Sequence, residues 1–271
     1  MKKEFIESAL APEAENLVIC VEEEVSSTNT LLKEAAAQGA PDGSVLIACR
    51  HTAGKGRLGR SFYSPEETGI YMSLLLRPEL KAKDSLLITT AAAVATAEAI
   101  ERVTGVATKI KWVNDIYCRD RKVVGILTEG GLKAGSDQLS YAVLGIGINL
   151  WEPSEGFPEE IVKIAGSVLT ESFLPDTIEK EKLRCQLAAE ILNQFMKIYP
   201  RLKEKEFMNA YRKRSLLIGK EVRLMQADHA ADLDLPTVKV LNVGDDAQLI
   251  VQMPDGSLKE ISSGEVSVKM Q

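Results

Sequence analysis

Residues 84–103 read DSLLITTAAAVATAEAIERV, a helical run rich in alanine and apolar on more than one face. Thr104 and Gly105 follow it, and glycine there is a common helix stop. A helix without a clear polar stripe is expected to be largely buried, so the rest of the chain has to cover it. The material is present: 45% of the 271 residues are hydrophobic and 27% charged, an ordinary globular balance. That length fits one large domain with a small one, or two of medium size.

Strands are expected over residues 17–23, 44–50 and 69–77, and over 139–150, which carries glycines inside an apolar run. Ser26 and Ser27 offer an N-cap to the helical run TNTLLKEAAAQ, which Gly39 can end. Residues 108–118 and 122–129 read as a two-stranded hairpin turned at Arg119–Arg121. Helices are expected over about 176–198 and about 204–214. Beyond residue 219 short alternating strands follow, with MPDGS at 253–257 as a hairpin turn. The reading divides the chain into residues 1–217 and a small β-barrel over 218–271.

The net charge is −6, which argues against bulk nucleic-acid binding but not against a local basic site for one small anion. Cys20, Cys49, Cys118 and Cys185 are scattered and read as reduced thiols, mostly buried. With only His51 and His229, a histidine metal site is not expected. No signal peptide and no spanning helix is apparent, so the expectation is a soluble, cytoplasmic protein.

Four segments stand out. Ala53–Arg60, AGKGRLGR, places three glycines and three cations together and makes an anion cradle suited to phosphate or carboxylate. It is not a P-loop, and a flexible solvated turn accounts for it equally well. In Lys111-Trp112-Val113-Asn114-Asp115 a lysine at a strand end points toward a cleft, or is simply solvated before a turn. In Gly145-Ile146-Gly147-Ile148-Asn149 the glycines share a face, which suggests close approach of a ligand or of a packed helix. Ser27-Thr28-Asn29 serves as a helix cap, and a helix N-terminus also favours anions.

No Ser-His-Asp set, Cys-His set or pair of catalytic carboxylates is evident. Activation of a carboxylic acid by ATP needs none of these. The acid is already ionised, with a reference pKa of about 4.3, and the obstacle is its repulsion from the triphosphate. Positioned cations and Mg2+ remove that obstacle.

In this order the four segments resemble the biotin–protein ligase family: STN at 27–29, HTAGKGRLGR at 51–60, KWVND at 111–115 and GIGIN at 145–149. The tail PDGSLKEISSGEVSVK at 254–269 resembles the C-terminal barrel of that family. The resemblance implies an α+β fold: a mixed sheet backed by helices, class II synthetase-like, then a small Src-homology-3-like barrel. It implies biotinyl-5'-AMP formation from biotin and MgATP, then transfer to a lysine of a biotin carboxyl carrier protein. No tightly bound cofactor is expected, and Mg2+ comes with ATP. By the same resemblance Ser27, Thr28, Asn29 and His51 line the biotin pocket. Gly54, Lys55, Gly56, Arg57 and Arg60 belong to a loop that closes over the adenylate. Lys111 holds the reacting carboxylate and α-phosphate, with Arg57 as its catalytic companion. Gly147 and Asn149 lie against pocket and nucleotide. Asp115 is a weaker candidate for Mg2+ or the incoming lysine, and Phe157 for stacking on adenine.

His51, Lys55 and Val113 stand where the family more often has glutamine, arginine and proline. Fewer than about 20 residues precede the first strand, so a form without a DNA-binding arm is expected. Direct DNA or membrane binding is not expected, and a homodimer stays open. The rival readings are a lipoate–protein ligase and a non-catalytic biotin-binding regulator. His51 carries a further expectation. Its reference pKa of about 6.5 predicts biotin affinity that falls as pH drops from about 7.5 to about 5.5 if His51 accepts from biotin, the favoured reading. Affinity rises over that window if His51 donates to the carboxylate, and does neither if it only packs against the loop.

Overall fold

The strand GIYMSLLL, Gly69–Leu76, is buried along its whole length, as a strand covered on both faces must be. It is the third strand, β3, of a seven-stranded sheet. The others are β1 (Val18–Val25), β2 (Ser44–His51), β4 (Lys109–Lys111), β5 (Asp115–Cys118), β6 (Arg121–Leu132) and β7 (Leu139–Asn149). The order across the sheet is β1-β2-β3-β7-β6-β5-β4. β1 and β2 are parallel and the other neighbours antiparallel, so the sheet is mixed. The computed structural model describes residues 1–170, 177–226, 236–262 and 266–270.

The alanine-rich run forms helix α3, Leu86–Thr104, buried without a break from Leu87 to Ala97. Gly105, at φ 72°, ends it and returns its N–H to the Glu101 carbonyl. α3 packs with α4 (Thr177–Ile198) against one sheet face, where Ile70, Met72, Leu74, Ile146 and Ile148 join the main core. On the other face α2 (Thr28–Ala37) covers only one part of the sheet, burying Leu32 and Ala36 against Leu46, Leu75 and Val143. What α2 leaves uncovered on that face becomes the site.

Three expectations need correction, and one element was not expected. Residues 108–118 are not one strand: Trp112, Val113 and Asn114 turn the chain between β4 and β5, and the Trp112–Val113 peptide is cis. The helix expected from 204 is α5, Met208–Arg214, preceded by a 3-10 segment over Tyr199–Glu204 in which Pro200 cannot extend the bonding of the turn before it. Ser27 stands at the N-cap of α2 with extended backbone, but its hydroxyl makes no capping bond. Finally, a short helix α1 (Lys3–Glu7) precedes the sheet. It is too short to show periodicity, buries Ile6 fully, and is followed by a segment tied to α4 through Asn193.

The tail is a five-stranded antiparallel sheet in the order β11-β10-β9-β8-β12. Its strands are β8 (Glu221–Gln226), β9 (Thr237–Val243), β10 (Leu249–Gln252), β11 (Leu258–Ile261) and β12 (Val266–Met270). The 253–257 turn joins β10 to β11, with Gly256 at φ 86°. The fold is therefore α+β with a small all-β tail. Cys20 is exposed, and Cys49, Cys118 and Cys185 are buried; all four are free. His229 lies outside the described residues. Among the described residues no helix is long and apolar enough to cross a membrane.

Candidate active site

On the α2 side of the sheet, strand register stacks residues in layers. Ser73 of β3 faces Gly145 of β7, which faces Leu127 of β6; in the next layer Tyr71, Gly147 and Gly125 align. A Cβ on Gly145 would come 2.1 Å from Asn29 Oδ1, and one on Gly147 would come 2.6 Å from the Phe62 ring. The glycines of GIGIN thus lower the floor for a side chain at the start of α2 and for one from the loop after β2. Above that floor lies a cavity of about 440 Å3.

At the α2 end the cavity is walled by Ser27, Thr28, Asn29 and His51. Ser27, Thr28 and Asn29 are all buried. Ser73 Oγ lies 2.7 Å from Thr28 Oγ1 and 2.6 Å from Asn29 Oδ1, while Asn29 Nδ2 donates to Glu129 Oε2 at 3.0 Å. His51 Nε2 accepts from the Thr28 N–H at 3.3 Å, which leaves the proton of the neutral ring on Nδ1.

The basic loop folds back on itself. Lys55 bridges Ser61, Gly56 N–H donates to the Arg60 carbonyl, and Phe62 N–H to the Gly54 carbonyl. This closure puts Lys55, Gly56, Arg57 and Arg60 on the cavity wall. Arg57 Nη1 donates to Asn114 Oδ1 at 3.0 Å, joining the loop to the KWVND turn. That turn is held from three sides. Trp112 Nε1 donates to the Ala247 carbonyl of the small domain, Tyr211 hydroxyl to the Val113 carbonyl, and Asn114 Nδ2 to the Ile126 carbonyl.

Lys111 and Asp115, flanking the turn, both line the cavity. Asp115 Oδ1 is 2.8 Å from Lys122 Nζ, an ion contact whose angle falls short of a hydrogen bond. The half-buried Lys111 ammonium has no carboxylate within ion-pair distance among the described residues and lies 5.9 Å from the centre of the Tyr117 ring. Burial lowers its pKa; Asp115 opposes that, and Lys122 and Arg60 reinforce it. Burial likewise lowers the Arg57 pKa, yet a guanidinium stays charged at neutral pH. The wall thus concentrates cations around one space that an anion would stabilise.

Three sequence-derived candidates stand off the cavity wall. Gly54 lies behind it, where a Cβ would meet the Phe62 carbonyl at 2.4 Å. Asn149 is buried and donates to the Gly166 carbonyl at 3.2 Å. Phe157 is half-buried in the loop after β7. Conversely, Phe62, Tyr71 and Lys122 line the cavity and were not singled out, and Asn114 was named only as part of the KWVND segment. Lys122 lay in what read as an ordinary hairpin strand; only the register of β5 on β6 brings it to Asp115.

The expectation for His51 is corrected. Burial pushes its pKa from 6.5 down to about 4, so the ring stays neutral between pH 7.5 and 5.5 and biotin affinity should be flat there. The signature moves to stability. Below pH 6.5 the unfolded chain takes up a proton that the folded chain refuses until about pH 4. Stability should therefore fall with pH across that window, and less steeply in His51→Gln. Denaturant unfolding of both proteins at several pH values checks this; parallel curves would return His51 to an ordinary exposed histidine.

Fold and cavity together define a domain of the biotin protein ligase type. A biotin protein ligase from Aquifex aeolicus, solved in complex with biotin and ATP, superposes with a TM-score of 0.73 at 30% identity, over 94% of this chain and 99% of that one. The biotin–[acetyl-CoA-carboxylase] ligase of Mycobacterium tuberculosis is 34% identical over 209 residues, 74% of this chain and 72% of the relative. A bifunctional ligase/repressor BirA of Bacillus spizizenii is 42% identical over 144 residues, 53% of this chain but only 44% of the relative. Residues 21–149 match the model of the biotin/lipoate A/B protein ligase family. The chain belongs to that family.

Proposed function

We propose that this protein activates biotin with ATP and transfers it to a lysine of a biotin carboxyl carrier protein. The observation that carries the reading is the half-buried Lys111 ammonium, facing a cavity walled by further cations and, among the described residues, with no carboxylate within ion-pair distance. A carboxylate and an α-phosphate are the anions that such a wall would bring together against their mutual repulsion. In the first step a biotin carboxylate oxygen bonds to the α-phosphorus, and the bond to the β-phosphate oxygen breaks, releasing pyrophosphate. In the second the carrier's amine attacks the acyl carbon, AMP leaves, and the nitrogen loses a proton.

Lys111 and Arg57 serve the transferring phosphoryl group. Ser27, Thr28, Asn29 and His51 hold the polar ring of biotin. Lys55, Gly56 and Arg60 close over the adenylate, Gly54 shapes their loop, and Gly147 and Asn149 support floor and rim. Asp115 is the one carboxylate on the described cavity wall. Mg2+ would arrive with ATP, held by the phosphates and one or two carboxylates. An adenine contact from Phe157 requires its loop to close over the nucleotide. The acidic balance argues against direct DNA binding, and the cytoplasm is the compartment proposed for the enzyme.

Incubation with ATP, labelled biotin and a carrier domain tests the reading, with lipoate as competitor. Adenylate formed from lipoate in preference to biotin would make the chain a lipoate ligase. Biotin binding without adenylate would make it a regulator. A related prediction concerns release. Arg57→Gly removes a loop cation and its bond to Asn114, so adenylate should still form but dissociate faster, because clamping acts mainly on the off-rate. Labelling of bystander proteins should rise; unchanged bystander labelling at normal carrier turnover would refute the clamp.

A further inference from the structure

The β5–β6 hairpin turns through two residues, and both stand at positive φ, Arg119 at 48° and Asp120 at 60°. Such a type I′ turn ordinarily takes asparagine or aspartate first and glycine second. Arginine is not among the residues that tolerate positive φ well, and a strained residue persists where the surrounding structure gains by it. Here the gain is visible. Arg119 Nη2 donates to the Ser167 and Val168 carbonyls, each at 2.9 Å. Arg121, just past the turn, donates to the Val162 carbonyl at 3.1 Å and to the Lys163 carbonyl.

Two guanidinium groups thus take four carbonyls from one stretch of the loop after β7. Between them the backbone pairs directly: Lys122 N–H donates to the Ile164 carbonyl at 2.8 Å, and Gly166 N–H to the Lys122 carbonyl at 2.9 Å. Gly166 permits the approach, since a Cβ there would stand 2.4 Å from Arg121 Cβ. The first half of the stretch has no buried side chain to hold it. Val162, Lys163 and Ile164 are exposed, and exposed backbone without apolar burial opens easily. Yet Ile164 forms part of the cavity wall beside Lys122, at the end where Lys111 and Asp115 flank the KWVND turn. Neither Arg119 nor Arg121 lines the cavity itself.

We propose that Arg119 and Arg121 are positioning residues for the nucleotide. From the β5–β6 turn they hold residues 162–168 as a wall that stands before ATP arrives, so that binding does not have to order it. A site whose competent form is only partly populated binds its ligand more weakly in proportion. The guanidinium suits the purpose, because one group carries enough donors to reach two carbonyls. The inference rests on the biotin reading, which gives this end of the cavity to the nucleotide.

Arg119→Asn places a favoured residue in the turn and removes the guanidinium. The melting temperature should hold or rise, where loss of a merely structural contact would lower it. KM for ATP in biotin-dependent pyrophosphate release should rise about fivefold, as for a wall ordered about one fifth of the time, with kcat kept. Biotin affinity, by calorimetry on the full chain, should match the parent. Adding Arg121→Ala should bring the rise in KM to about tenfold or more. Hydrogen exchange on the unliganded chain reads the wall itself: the Gly166 amide should exchange faster in both variants. A raised KM with Gly166 exchange unchanged is an effect of long-range charge and overturns the proposal. So does R119N with parental KM for ATP, or a loss of biotin affinity equal to the loss for ATP. Should the double variant not fold, R119N decides on both readouts. A parent that releases no pyrophosphate with biotin overturns the biotin reading and this proposal with it. A parent that does so while R119N keeps its KM overturns the proposal alone.

Discussion

Lys111→Ala should lower biotin-dependent pyrophosphate release by roughly 10²–10³-fold, the range for removing one preorganised donor from a developing charge, or about 2.7–4 kcal/mol. It should do so without loss of stability. The folded protein holds this ammonium half-buried with its pKa lowered, first by burial. A lysine whose folded pKa is lowered is more comfortable charged in the unfolded chain, so at neutral pH it works against folding. Removing it should leave the melting temperature unchanged or raise it, at the cost of a long-range ring contact with Tyr117. A drop in activity paired with unchanged or higher stability is the mark of a residue kept for function. Near-parental turnover in a folded Lys111→Ala would remove Lys111 from the site. A large fall in melting temperature would instead make it structural.

The parts of the fold that local pattern controls were legible in the sequence. α3 announced itself by an apolar run long enough to exceed any strand, and Gly105 by its place after it. β7 was visible although its glycines weaken a strand, because the apolar run around them is long. The reason for those glycines was not visible. The sequence left open whether a ligand or a helix approaches Gly145 and Gly147; Asn29 from the start of α2 and Phe62 from the basic loop are what approach. Nothing local marks Phe62, Tyr71 or Lys122, whose places follow from register between strands distant in sequence. The same holds for His51, whose titration depends on burial that no motif reports. The strand expected over 108–118 ran through KWVND, although the same segment also read as a strand end before a turn. That turn is fixed by Tyr211 and by Ala247, more than 90 residues away.

Gly145→Ala should damage both stability and biotin binding, although it adds a single methyl group. Its Cβ would stand 2.1 Å from Asn29 Oδ1 and 2.9 Å from Asn29 Cγ. A clash with a mobile side chain would be relieved by rotation. Asn29 cannot rotate freely, because its amide is held by Glu129, the Leu127 carbonyl and Ser73. The strand cannot yield easily either, since Gly145 is registered between Ser73 and Leu127 at the centre of the sheet. Overpacking of this kind costs roughly 1–3 kcal/mol, which for a chain of this size lowers the melting temperature by several degrees. Displacing Asn29 also shifts a side chain of the cavity wall, so biotin affinity should fall. The pair Gly145→Ala and Asn29→Ala separates the two effects through a double-mutant cycle. Truncating Asn29 removes the clash, so the double variant should regain melting temperature relative to Gly145→Ala alone. It should not regain biotin affinity, because the Asn29 amide is missing from the cavity wall. Additive losses in melting temperature would show that Gly145 is not there to admit Asn29, and parental biotin affinity in the double variant would show that Asn29 does not serve biotin.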